Sequence, residues 1–266
     1  MAEQDAVYQV DSPRTRRSLA DDLGRLGVTA GGTLLVHSSL SSLGWVCGGP
    51  AAVVHALLDV LGPAGALVVP TQTGDNSDPA LWRRPPVPEA WWPVIRANTP
   101  ATFGGTPSRG MGKIAETVRC WPGARRSTHP QTSFAAVGAG AEQILEPHPL
   151  DCQLGENSPL ARLYDRDAGV LLLGVDHAAN TSLHLAEYRR PDPPQAVIGC
   201  AIETHGKHRW VTYTDVDLDE SDFARLGEDF DATGKTTTGT VGSAVARLFR
   251  QRDAVDFATG WLARHR

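Results

Sequence analysis

The 266-residue chain has four cysteines, at 47, 120, 152 and 200, and no C-x-x-C pair among them. That spacing argues against a structural zinc site and against a disulfide framework, so the thiols read as reduced core residues. The nine histidines are scattered, and His177 and His184 have no third ligand in view, so no metal is expected. Apolar runs such as 66–69 and 170–173 fall far short of the roughly 20 residues that cross a bilayer, which excludes a membrane-spanning helix. Met1 leads into the polar Ala-Glu-Gln-Asp rather than a basic and apolar leader, and a cytoplasmic location is expected. A net charge of −5 disfavours a nucleic-acid partner. Two signatures are also missing. The loop after His37 does not match the Walker glycine-lysine pattern, and no G-x-S-x-G elbow supports a serine hydrolase built on Ser38 or Ser39.

What is present is an ordinary globular composition, 41% apolar and 21% charged. No linker divides the chain, so residues 1–266 read as a single domain with a substantial core. Ser12-Pro13 reads as the cap and first position of a helix carrying Leu19, Leu23 and Leu26. A strand at 33–37, a hydroxyl-rich loop, a helix at 51–61 closed by Gly62-Pro63 and a strand at 66–70 follow. This order predicts a layered α/β fold with ligands at the carboxyl ends of strands. Residues 71–110, rich in Pro, Gly, Trp and Asp, read as one long functional loop. Beyond it the patterns predict helices at 113–121, 139–145 and 159–164, and strands at 133–137 and 169–174. Two more strands, 196–203 and 210–214, flank the turn His205-Gly206-Lys207, and helices follow at 221–230, 243–251 and 253–263.

The stretch Asp176–Glu187 stands where the apolar run 169–174 hands over to a helix for which Asn180 is the N-cap. On that helix His184 and Glu187 share a face. An imidazole near a helix start beside a ligand-accepting loop suits a general base, and the plainer alternative is a half-buried histidine paired with a surface glutamate. His37-Ser38-Ser39 with Gly48-Gly49 offers hydroxyls and free N–H groups for a phosphate, or is merely a polar connection. Arg125-Arg126 is either a phosphate-binding pair or solvated surface. Residues 215–222 hold four aspartates and one glutamate; with Asp75, Asp78 and the loop tryptophans they suggest a cationic or sugar-like substrate.

Taken together, Leu34-Leu-Val-His-Ser-Ser-Leu40 with Gly48-Gly49, Arg125-Arg-Ser-Thr-His-Pro130 before Ser133-Phe-Ala-Ala-Val-Gly138, Gly155-Glu-Asn-Ser-Pro-Leu160, and Leu171-Leu-Leu-Gly174 running into Asn180-Thr-Ser-Leu-His-Leu-Ala-Glu187 resemble the aminoglycoside 3-N-acetyltransferase family. The matching segments keep the family's order over nearly the whole chain. The resemblance implies a mixed central sheet flanked by helices, the antibiotic acetyltransferase-like fold. It also implies transfer of acetyl from acetyl-coenzyme A to the 3-amino group of a 2-deoxystreptamine ring, with antibiotic resistance as the outcome. His184 then becomes the general base, with Asp215 or Asp217 as its orienting carboxylate. Coenzyme A is expected along His37, Ser38, Ser39 and Leu40, along Met111, Gly112 and Lys113, and at Arg126 and Ser127. Asp75, Asp78, Asn180, Glu187 and Asp217 are expected to meet the cationic substrate, and the Thr181 hydroxyl or a nearby N–H to meet the oxyanion. No metal is implied, and a homodimer is left open. Two other functions fit the same residues: acetylation of a different amine such as a biosynthetic intermediate, or a non-catalytic sugar- or nucleotide-binding module.

Overall fold

A computed structural model describes residues 3–8, 10–83 and 85–266. Its centre is a seven-stranded mixed sheet of order β3-β4-β2-β1-β5-β9-β8. The two middle strands, β1 (Thr33–Ser38) and β5 (Gly169–Leu173), run parallel to each other, and β1 is also parallel to β2 (Ala66–Pro70). The outer strands are antiparallel to their neighbours: β4 (Phe134–Gly138) on β2, β3 (Arg125–Arg126) on β4, β9 (Ala244–Arg250) on β5, and β8 (Thr237–Val241) on β9.

The apolar runs of β1 and β5 are continuous because helices cover both faces. Leu35, Val170 and Leu172 enter one core, whereas Leu34, Val36, Leu171 and Leu173 enter the other. Alternate residues of a strand face opposite ways, so His37 stands on the same face as Leu35. After a short α1 (Glu3–Tyr8), α2 (Arg16–Leu26) and α3 (Gly49–Leu61) cover the second face. The helix start differs from the sequence expectation. Ser12-Pro13 lies outside α2, whose cap is Thr15, with Ser18 returning its hydroxyl to the Thr15 backbone in a reciprocal box. The chain runs from β1 through α3 to β2 on one side and later returns to β5 on the other. The crevice at the carboxyl ends of β1 and β5 is therefore a topological switch point.

Residues 71–110 carry more structure than a loop: 3₁₀ turns at Pro79–Leu81 and Glu89–Trp91 and a helix, α4 (Trp92–Asn98). Next come α5 (Gly112–Arg119), α6 (Ala141–Leu145) and α7 (Pro159–Asp165), close to their predicted places. The ribbon β6 (Gln195–Thr204) and β7 (Lys207–Val216) stands apart from the main sheet as a second, two-stranded sheet. One prediction fails outright. Residues 243–251 were expected to be helical, yet β9 occupies them, paired with β8 across the two-residue turn Gly242-Ser243. The burial of Ala244, Ala246 and Phe249 between exposed or half-buried residues suits an edge hairpin, and Gly242 at φ +60° permits the tight turn. Two helices complete the first core, α9 (Phe223–Asp231) and α10 (Gln251–His265), the latter matching the predicted last helix.

Candidate active site

β5 ends at Leu173, and the chain makes two successive 3₁₀ turns, His177–Ala179 and Thr181–Leu183, before the short helix α8 (His184–Tyr188) begins. Asn180 caps the second turn rather than the α-helix, its side chain accepting from the Ser182 N–H at 3.2 Å. His184 thereby arrives at the carboxyl ends of the parallel strands, in the wall of a cavity of about 360 Å³. His37, Ser38, Pro70, Gly110, Met111 and Thr181 share that wall. With Glu220 and Phe223, the residues that define it come from five separate parts of the chain.

His184 is half-buried and its ring packs against Phe223, with centroids 4.8 Å apart. Its Nδ1 donates to Glu187 Oε2 at 2.6 Å. A carboxylate can only accept, so this bond places the ring proton on Nδ1 and leaves the Nε2 lone pair free. Glu187 is buried to 1% exposure. Its other oxygen accepts from the Asp219 N–H at 3.1 Å and from the Arg266 guanidinium, which also donates to Asp222 at 2.8 Å. A buried carboxylate needs such partners to stay ionised. The i, i+3 pairing read from the sequence is therefore the actual geometry.

That arrangement corrects two assignments drawn from the family resemblance. Asp215 does not orient His184: it accepts from the Gln153 N–H, the Tyr188 hydroxyl and its neighbour Val216 N–H at 2.7, 2.7 and 2.8 Å, which ties the end of β7 to the chain ahead of α7. Asp217 is exposed, and its backbone N–H bonds to Pro194. Glu187, in turn, is too deeply buried to meet a substrate. The same holds for part of the expected coenzyme site. Arg126 donates to Ser133 Oγ at 2.9 Å and to the carbonyls of Thr71 at 2.6 Å and Thr106, so its guanidinium pins the 71–110 segment to the sheet. Burial pulls its ionisation down to about 10. Ser127 is buried between His148 Nδ1 and the Phe134 N–H, both at 2.9 Å. Neither side chain is free to hold a phosphate.

The remaining expected residues converge. Ser38 and Met111 line the cavity, and Gly112, at φ +85°, brings the start of α5 against the Ser38 carbonyl. Lys113 is exposed on the first turn of α5. The Ser39 and Ser41 hydroxyls bond at 3.1 Å, whereas Leu40 is half-buried against the second core. In the long segment, the exposed Asp75 is paired with Arg109, and Asp78 is held by Arg96 at 2.7 Å while capping the Pro79–Leu81 turn. The sequence reading passed over Gln72, Val175 and Glu220, which also line the cavity. Glu220 is exposed, in the acidic run flagged from composition, but nothing local distinguishes it from its neighbours.

Comparison with known proteins bears on this geometry. The sequence profile of aminoglycoside 3-N-acetyltransferase matches residues 35–263. The chain is 47% identical over 257 residues to the SPbeta prophage-derived aminoglycoside N(3')-acetyltransferase-like protein YokD of Bacillus subtilis, covering 96% of this chain and 94% of that protein. The crystal structure of YokD superposes with a TM-score of 0.95, covering 98% of this chain and 97% of that one. AAC-IIIb, solved as a binary complex with CoASH, is 31% identical with a TM-score of 0.85 over 96% of this chain and 98% of that one. AAC-VIa, solved bound to sisomicin, is 29% identical with a TM-score of 0.84 over 96% and 99% of the two chains. With near-complete coverage in sequence and fold, the chain belongs to the aminoglycoside 3-N-acetyltransferase family, a family of acyltransferases.

Proposed function

We propose that the protein transfers the acetyl group of acetyl-coenzyme A directly to the 3-amino group of a 2-deoxystreptamine aminoglycoside, with His184 as general base and drug resistance as the cellular consequence. The observation that carries this reading is the 2.6 Å bond from His184 Nδ1 to buried Glu187 at the wall of the cavity. The free amine attacks the thioester carbon while Nε2 of His184 takes the proton from the attacking nitrogen. The new C–N bond forms as the carbonyl electron pair moves onto oxygen. Collapse of that intermediate breaks the C–S bond, and the coenzyme thiolate recovers a proton from the imidazolium. No covalent enzyme intermediate is required, since the thioester is already activated.

Ser38, Ser39, the backbone at Met111 and Gly112, and the Lys113 ammonium are the groups we assign to coenzyme A. The α5 start and the lysine suit its phosphates. The cationic rings would meet Glu220 at the cavity and the exposed Asp217 that precedes it in the chain. CoASH in AAC-IIIb and sisomicin in AAC-VIa support both halves of this assignment by likeness.

One observation favours a second reading, acetylation of a less highly charged amine. Asp75 and Asp78, the loop carboxylates expected to attract the sugar, each have an arginine partner. Thiol release from acetyl-coenzyme A with kanamycin, gentamicin, apramycin, neomycin and a set of monoamines separates the two. His184→Ala should lower turnover by at least ~10² with coenzyme A affinity retained. Near-wild-type turnover by that variant would sink the general-base assignment.

A further inference from the structure

Eight buried side-chain nitrogen and oxygen atoms lack a hydrogen-bond partner among the described residues, and two of them, His37 Nε2 and Asn180 Nδ2, belong to residues that line the cavity beside His184. Asn180 is fully buried, and its carboxamide has a fixed sense. Its Oδ1 accepts from the Ser182 N–H at 3.2 Å and from the Ser182 hydroxyl at 2.5 Å. A backbone N–H can only donate, so the oxygen must face Ser182 and the NH₂ is the unpaired end. His37 is 5% exposed on the rigid central strand. Burial and the neighbouring His184 push its ionisation down to about 3, so the ring is neutral and carries one N–H.

Leaving a buried donor unpaired costs roughly 1–3 kcal/mol, and folds ordinarily fill such positions. Two such groups, the Asn180 NH₂ and His37 in its Nε2–H tautomer, on residues of one cavity wall beside a base, suit an acceptor that arrives with the substrate. The acyl oxygen of a thioester is such an acceptor, and it gains negative charge when the amine adds.

Building on the acetyltransferase reading, we propose that the Asn180 carboxamide and the His37 imidazole are the paired donors that hold the acyl oxygen as it becomes an oxyanion. As the C–N bond forms, the carbonyl electron pair moves onto that oxygen and the two N–H groups stabilise it. When the C–S bond breaks, the pair returns and both donors keep their protons. Thr181 lines the same wall, so the hydroxyl expected from the sequence to meet the oxyanion shares that wall with these two groups.

The test uses the full chain and three variants. In Asn180→Asp the oxygen that accepts from Ser182 is retained, but a carboxylate oxygen replaces the donor; kcat should fall at least ~10²-fold. His37→Leu removes an unsatisfied nitrogen from the interior, so its melting temperature should hold or rise while kcat also falls ~10²-fold. His37→Gln, which restores an N–H, should recover about tenfold of that loss. Calorimetry with coenzyme A, which has no acyl oxygen, should give affinities within about threefold of wild type for all three. Acetonyl-coenzyme A keeps the carbonyl but cannot transfer it. Its preference over coenzyme A should shrink about tenfold in Asn180→Asp and His37→Leu. The oxyanion role is overturned by kcat within about fivefold of wild type in either variant, or by coenzyme A affinity that falls in step with kcat. If His37→Leu does not fold, Asn180→Asp decides alone, since aspartate is as good a cap as asparagine. Wild-type protein that fails to bind coenzyme A removes the acetyltransferase reading itself, a separate result from normal binding with unimpaired variants.

Discussion

Two pairs of buried or half-buried histidines sit at the carboxyl end of the sheet, and they differ in what their nitrogens do. The His129 and His148 rings pack at a tilt with centroids 4.8 Å apart. His129 donates from Nε2 to the Leu150 carbonyl at 3.1 Å and accepts at Nδ1 from the Gln131 and Thr132 N–H groups at 3.1 and 3.0 Å. His148 bonds Ser127 Oγ at 2.9 Å and the Gln153 carbonyl at 2.7 Å. All four nitrogens of this pair are engaged. In the other pair, His184 has one nitrogen bound to Glu187 and one free, and His37 Nε2 has no partner. Burial holds His37, His129 and His148 alike in the neutral form, so burial and shifted ionisation do not separate site from scaffold. Unfilled hydrogen-bonding capacity beside a cavity does.

The largest effect expected from breaking that contrast lies at Glu187. Glu187→Gln keeps an oxygen for the Asp219 N–H and Arg266 but turns an NH₂ toward His184. Nδ1 must then accept, the ring proton moves to Nε2, and the base is lost without any change in shape. Turnover should fall by ~10² to 10⁴ with coenzyme A affinity intact. A variant that retains more than about a tenth of wild-type turnover would mean that the 2.6 Å bond is structural.

The His–Glu spacing was legible because i, i+3 geometry is local. Its surroundings were not. Arg266 reaches Glu187 across 79 residues, and no periodicity encodes that contact. The family resemblance pointed to Asp215 or Asp217 as the orienting carboxylate, but a pattern of carboxylates after a strand does not say that Asp215 is taken up by Gln153 and Tyr188 or that Asp217 is exposed. In the fold, the central strands were readable since both faces of β1 and β5 are apolar. The β8–β9 hairpin was misread because Ala244, Val245, Ala246, Leu248 and Phe249 satisfy helical spacing as readily as alternation. Only the Gly242-Ser243 turn marked the difference. Likewise Arg126 looked like surface charge or a phosphate site. Its acceptors, among them Thr71, Thr106 and Ser133, come from segments that meet only in the folded sheet.

A stability measurement sharpens the contrast from the other side. His148→Leu removes one of the two donors to the Gln153 carbonyl, leaving only the Thr132 hydroxyl, and deprives the Ser127 hydroxyl of its imidazole partner in the interior. A loss of about 2–4 kcal/mol in unfolding free energy is expected, with kcat of the folded fraction nearly unchanged. This is the reverse of the pattern expected for His37→Leu. Equal stability losses in the two variants would erase the distinction drawn between the pairs.

The smallest effect is the pH dependence of that stability. His129 and His148 are held neutral down to about 4 and about 3, whereas in the unfolded chain each takes up a proton near pH 6.5. Between those limits the unfolded state binds more protons, so the stabilisation is complete above about pH 6.5 and drains away as pH falls through the window toward about 4. The slope is about 1.4 kcal/mol per pH unit for each histidine, or on the order of 2 kcal/mol apiece at pH 5. Urea unfolding of the wild type from pH 7 to pH 5 should show this decline, and His148→Leu should show a shallower one, since one of the neutral rings is gone. Parallel wild-type and variant slopes would mean that His148 accepts its proton in the folded state. In that case its two hydrogen bonds would be those of an imidazolium rather than of a neutral ring locked in place by Ser127 and Gln153.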